Sequence, residues 1–218
     1  MKTKFEKFFP YINNKYLLLV LRYLRFVLLL INSINRLGRR GYLIVAMPKS
    51  GSSFIEEYIS KKKKLKPQVA ISTIYRESFY GDSHLINLNK IDILLVKYFG
   101  VLIKTHSIPK IEDLNLLDND DYMFLLRNPS EAAKSGINHA ARYKWHAREK
   151  LSHEALTEEF LSWQRNVYKV SGDKNIVNTE NLKKELSILL SISEDDSDYE
   201  RVLKNAIKRN PSHYRNVK

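Results

Sequence analysis

The sequence predicts an α/β fold, a central parallel sheet flanked by helices, with an extra helix ahead of it. Three observations carry this expectation. Short apolar runs with β-branched residues alternate with longer helical patterns, the order that crossover helices impose on parallel strands. The runs are apolar along their length, as strands with both faces buried must be. Lys49, Lys104, His106 and Arg127 all fall just past the ends of such runs, where open parallel sheets bind their ligands.

The elements follow in order. From Tyr16 to Ile34 the chain is mostly Leu, Val, Ile and Phe, interrupted by Arg22 and Arg25. The uncharged run Phe26 to Ile31 is far too short to span a bilayer, and no secretory cleavage pattern follows it. Lys15, Arg22, Arg25, Asn32 and Arg36 fall near one face at helical spacing, opposite a broad apolar face. That helix is expected either to pack on protein, to lie in the plane of a membrane surface, or to act as a signal anchor. Residues 1–40 thus form an N-terminal segment, and 41–218 the main domain.

Tyr42 to Met47 reads as a buried strand, Pro48 to Ser53 as a turn, and Phe54 to Ser60 as a helix closed by Lys61 to Lys64 at its carboxyl end. Val101 to Ile103 and Tyr122 to Leu126 are two further strands. Pro129 suits a first helical position, and the helix continues to Tyr143. Later come a helix over Glu154 to Val170, a strand over Asn175 to Asn178, and helices near Glu180 to Leu190 and Asp198 to Lys208. The acidic patch Glu194 to Asp198 reads as a solvated loop or helix start.

Composition narrows the function. The chain has 218 residues, 44% of them apolar, enough for one sizeable core. Its net charge of +13 points to an anionic partner: nucleic acid, lipid or a phosphorylated small molecule. Cysteine is absent, which excludes disulfides, thiolate zinc sites and cysteine nucleophiles and fits a reducing cytoplasm. Asn-x-Ser/Thr acceptors are absent too, since proline follows both Asn128 and Asn210.

A strand, then Pro48-Lys49-Ser50-Gly51-Ser52-Ser53, then a helix is an arrangement that holds an anion. Gly51 allows close backbone approach or positive φ. The first helical amides point out unpaired, and the helix dipole favours negative charge there. Ser50, Ser52 and Ser53 add hydroxyls, and Lys49 adds a cation. The lysine precedes the glycine, unlike a Walker A loop. The same residues also describe a plain capped helix, and Phe54 suits a core position as well as a stacking one.

At these residues the chain resembles the PAPS-dependent sulfotransferases (PAPS is 3′-phosphoadenosine 5′-phosphosulfate), whose first strand ends in a Pro-Lys-Ser-Gly-Thr-Thr-Trp type of loop. Lys104-Thr105-His106-Ser107-Ile108-Pro109 is similar to that family's Lys-Thr-His-Leu-Pro. Arg127-Asn128-Pro129 with Ser135 is similar to its Arg-Asn-Pro…Ser element. The resemblance covers about Tyr42 to Asn216 and implies a P-loop-like sulfotransferase architecture with PAPS as co-substrate and no metal. It implies that Lys49 sits at the bridging oxygen, that Ser50, Gly51, Ser52 and Ser53 grip the 5′-phosphosulfate, and that Phe54 stacks on adenine. It makes His106 the general base, a task its unperturbed pKa suits. Lys104, two residues earlier in a strand, projects to the same side and assists. Arg127 and Ser135 bind the 3′-phosphate. Thr179 stands where the family has a nucleotide-contacting tyrosine. Arg209 to Asn216 is similar to the family's carboxyl-terminal loop without its glycines, with Arg215 as a further phosphate ligand.

The expectation is therefore a sulfuryl transfer to an acceptor hydroxyl or amine on a small molecule or glycan, shaped by Tyr75 to Tyr98 and Asn138 to Trp145. Peripheral membrane association is open; nucleic acid is not expected. The alternatives are a P-loop nucleotide kinase, against which the lysine–glycine order and a missing Walker B acid speak, and a non-catalytic basic module binding membranes or nucleic acid.

Overall fold

Five strands form one fully parallel sheet: β1 (Tyr42–Ala46), β2 (Lys66–Val69), β3 (Val101–Thr105), β4 (Tyr122–Leu126) and β5 (Ile176–Asn178), in the order β2-β3-β1-β4-β5. The computed structural model describes residues 20, 23, 24, 27, 28, 31, 34–69, 88, 90–142, 152–193 and 195–209. The helices are α1 (Ser52–Lys62), α2 (Lys90–Phe99), α3 (Ile111–Leu114), α4 (Pro129–Arg142), α5 (His153–Ser171), α6 (Leu182–Leu190) and α7 (Ser197–Arg209). This is an α/β fold with helices on both faces of a central parallel sheet.

Each face of the sheet has its own core. Leu43, Val45 and Met47 pack with Ile103, Phe124, Phe160 and Trp163 on one side. Tyr42, Ile44 and Ala46 pack with Leu102, Met123, Leu125, Ile55 and Tyr199 on the other. Alternate residues of β1 therefore enter opposite cores, which is why its sequence is apolar without interruption. Gly41 precedes it because a Cβ there would lie 2.0 Å from the Val101 carbonyl oxygen.

Strand β1 leads by way of α1 to the β2 edge, while β4 leads to the opposite edge at β5. Neighbouring strands whose connections leave in opposite directions open a crevice at their carboxyl ends. Lys49 and Arg127 follow those two ends.

One element was not expected: strand β2 (Lys66–Val69), which among the described residues pairs only with β3, an edge position that tolerates Pro67. Of the stretch Tyr75 to Tyr98 expected to shape the acceptor site, the described part is residue 88 and helix α2, in which Ile93, Leu95 and Val96 are buried and Tyr98 is exposed. The acidic patch is the helix start of its two readings: α7 begins at Ser197, and Asp196 just ahead of it accepts a 2.9 Å hydrogen bond from the Tyr58 hydroxyl and pairs with Lys62 at 2.6 Å. It fastens the start of α7 onto α1.

Candidate active site

The turn after β1 is built to gather amides. The Met47 N–H donates to the Leu125 carbonyl, which prolongs the β1–β4 pairing, and the Ser50 N–H closes back onto the Met47 carbonyl at 3.2 Å. Lys49 (φ 66°) and Gly51 (φ 78°) are left-handed on either side of Ser50. Such alternation folds successive N–H groups into an anion-binding concavity. Gly51 caps α1 without a side-chain hydrogen bond, and the first turn of the helix carries no acidic residue. The Phe54 N–H closes back onto the Gly51 carbonyl at 3.0 Å, which leaves the amides of Ser52 and Ser53 at the positive end of the helix dipole to face an anion. The Ser50 hydroxyl is buried and has no hydrogen-bond partner among the described residues. A buried orphan hydroxyl is rare in a folded chain, and this one lies inside the turn.

The other strand tips meet that turn. The Lys104 ammonium donates to the Ser53 hydroxyl at 3.3 Å and pairs with Glu56 at 2.9 Å. His106 lies 2.6 Å from the Ala46 carbonyl oxygen through Nδ1. A carbonyl only accepts, so Nδ1 carries the proton and the basic lone pair falls on Nε2. The His106 carbonyl in turn accepts from Trp163 Nε1 at 2.8 Å, so a buried indole on α5 props the segment from below.

Arg127 Nη1 donates to the Lys49 carbonyl at 2.9 Å, and its Nη2 pairs with Glu131 one turn into α4 at 3.2 Å. The Asn128 side chain accepts from the Ser130 and Glu131 N–H groups, capping α4, with Pro129 as its first residue. The stem of Lys49 passes over α4 at Gly136, where an added Cβ would lie 3.9 Å from Lys49 Cγ. Ser135, part-buried, is the neighbouring residue on that helix. Lys49, Ser50, Gly51, Ser52, Ser53, Lys104, His106 and Arg127 thus share one end of the sheet.

Phe54 does not fit the role the resemblance gave it. Its ring is 2% exposed, stacked with Tyr58 and edge-on to Tyr199 at 5.2 Å. A base needs an open ring face, and both faces of this one belong to the core between α1 and α7. Arg215, Tyr214 and the rest of the tail beyond Arg209 lie outside the described residues, as do 143–145 of the second acceptor stretch and most of the first.

Sequence reasoning missed Glu56, Glu131, Gly136 and Trp163. Glu131 was within reach, since it stands four residues after Arg127 at the helical pairing distance. Glu56 and Trp163 join the site only through tertiary contacts with no local signature.

No family model and no curated protein matches the chain. Among solved structures it is similar to the crystal structure of a sulfotransferase from Alicyclobacillus acidocaldarius, with 14% identity, 82% of this chain and 96% of that chain covered, and a TM-score of 0.42. So slight a likeness carries no weight for function, which has to rest on the site.

Proposed function

We propose that the protein is a sulfotransferase that uses PAPS as donor and an acceptor hydroxyl or amine, with a carbohydrate the first class to test. One observation supports this above the rest: the tips of β3 and β4 both reach the segment that runs from the end of β1 through the turn into α1. His106 reaches the Ala46 carbonyl, Lys104 reaches Ser53, and Arg127 reaches the Lys49 carbonyl. A ligand with two separated anionic groups suits this arrangement. One group fits the amide concavity and the Ser50 hydroxyl; the other fits the guanidinium of Arg127, whose planar fork matches phosphate oxygens.

The donor supplies an activated sulfuryl group. The acceptor oxygen or nitrogen forms a bond to sulfur as the bond between sulfur and the bridging oxygen breaks, and the bisphosphate leaves with that oxygen. His106 Nε2 takes the acceptor proton. The Ala46 carbonyl holds Nδ1–H throughout and favours the imidazolium that forms, as a carbonyl dipole aimed at a cation does. Lys49 neutralises charge on the bridging oxygen, and removal of one such preorganised group typically costs about 3–4 kcal/mol of transition-state stabilisation. Lys104, held by Glu56 and Ser53, keeps a second cation beside the turn. Positioning by Arg127, Ser135 and the turn amides supplies the remainder.

Incubation with labelled donor and a panel of sugar, phenol and amine acceptors tests the reading. Transfer to at least one acceptor is expected, lost when Lys49 is replaced by Ala. If the nucleotide that binds is ATP with magnesium, and label moves from its γ-phosphate, the chain is a kinase and the proposal fails.

A further inference from the structure

Outside the site, the largest unexplained feature is the helical segment that precedes β1. Val20, Leu24, Leu28, Ile31 and Ile34 are all helical, and with Leu37 they are 51–66% exposed. Steps of three and four residues place the helical five on a single stripe. The end of the stripe is fixed to the domain: the Gly38 N–H donates to the Tyr98 carbonyl and the Gly41 N–H to the Val96 carbonyl, each at 2.7 Å. Tyr98 extends the apolar surface there, 46% exposed, with the Lys97 ammonium 5.5 Å from its ring centre.

Charge decides what covers this face. Residues 7–40 contain Lys7, Lys15, Arg22, Arg25, Arg36, Arg39 and Arg40 and no Asp or Glu. A second copy meeting the first through the stripe would bury the apolar side chains but leave the cations of the opposite face without an anionic partner, because a two-fold interface pairs a surface with itself. A nucleic acid would satisfy the cations but leave the apolar stripe in water. An anionic bilayer surface accepts both, taking the stripe into the acyl boundary and the cations among its headgroups. Among the described residues no helix is long and apolar enough to cross a membrane. We infer that this face docks the protein on anionic lipid. The segment enters the sheet at the amino end of β1, whereas the proposed active site lies at the strands' carboxyl ends.

Flotation of the full chain with vesicles of phosphatidylcholine, alone or mixed with phosphatidylglycerol, tests this. At least about tenfold stronger partition to the anionic vesicles is expected, falling with added salt. Leu24→Glu with Leu28→Glu should lower that partition about tenfold or more while the thermal midpoint stays unchanged, since both side chains are already more than half exposed. Equal partition to both vesicle types, or undiminished binding by the double variant, would overturn the inference. So would a dimer in solution that the double variant converts to monomer.

Discussion

His106 is committed through Nδ1 to the Ala46 carbonyl, and this contact separates its structural role from its chemical one. Asparagine can keep a hydrogen bond to that carbonyl but cannot take a proton. His106→Asn should therefore fold and bind nucleotide as the parent does, while kcat falls by about 10²–10⁴, the usual worth of a general base. Retained turnover would remove His106 from the mechanism. Glu131 invites the opposite experiment. It occupies Arg127 through Nη2 while being half exposed itself, so an arriving phosphate must compete with it. Glu131→Gln should tighten nucleotide binding, by no more than about fivefold because exposed pairs are worth about 0–1 kcal/mol. Calorimetric titration of the two proteins reads the difference directly, and weaker binding by the variant would mean that Glu131 aims the guanidinium rather than competing for it.

Helix α1 connects the site to the core, and its two ends do different work. Its amino end presents the amide concavity; Phe54 and Tyr58, further along, pack against Tyr199 of α7. Phe54→Ala should destabilise the fold by about 3–5 kcal/mol, the cost of deleting a large buried ring, read from the denaturant midpoint. If Phe54 instead served a nucleotide base, the variant would keep its stability and lose affinity. The same element shows what the sequence could reveal. Strands β1, β3 and β4 were legible because both their faces are buried and their residues are correspondingly apolar. The turn was legible because its chemistry is local: Lys49, three serines and Gly51 in a row. Strand β2 was hidden because an edge strand of Lys66-Pro67-Gln68-Val69 carries no apolar signal. Phe54 was misassigned because α7, which covers it, lies some 140 positions later in the chain (Tyr199 minus Phe54 is 145). Local pattern does not report which partner will cover an aromatic ring.

For the molecule as a whole, three buried tyrosines set an alkaline limit. Burial, reinforced by Asp120 and Asp121, pushes the Tyr42 phenol up. Burial and then the hydrogen bond to Asp196 do the same for Tyr58, and burial with Glu200 takes Tyr199 to about 12. Each native phenol holds its proton above the pH near 10 at which an unfolded tyrosine releases it. Stability is therefore intact below about pH 10 and declines as pH rises toward the native values. Urea midpoints between about pH 8 and 12 should show that decline, made shallower by Tyr199→Phe; a flat profile would contradict it. The central claim is the proposal that the turn after β1, reached by the tips of β3 and β4, binds a doubly phosphorylated adenosine. Titration calorimetry with adenosine 3′,5′-bisphosphate tests it most directly. The account predicts micromolar-order binding to the parent chain and a loss of about tenfold or more in Arg127→Ala, as expected for a charged hydrogen-bonding group. No measurable binding at about millimolar nucleotide, or equal affinity in parent and variant, would contradict it.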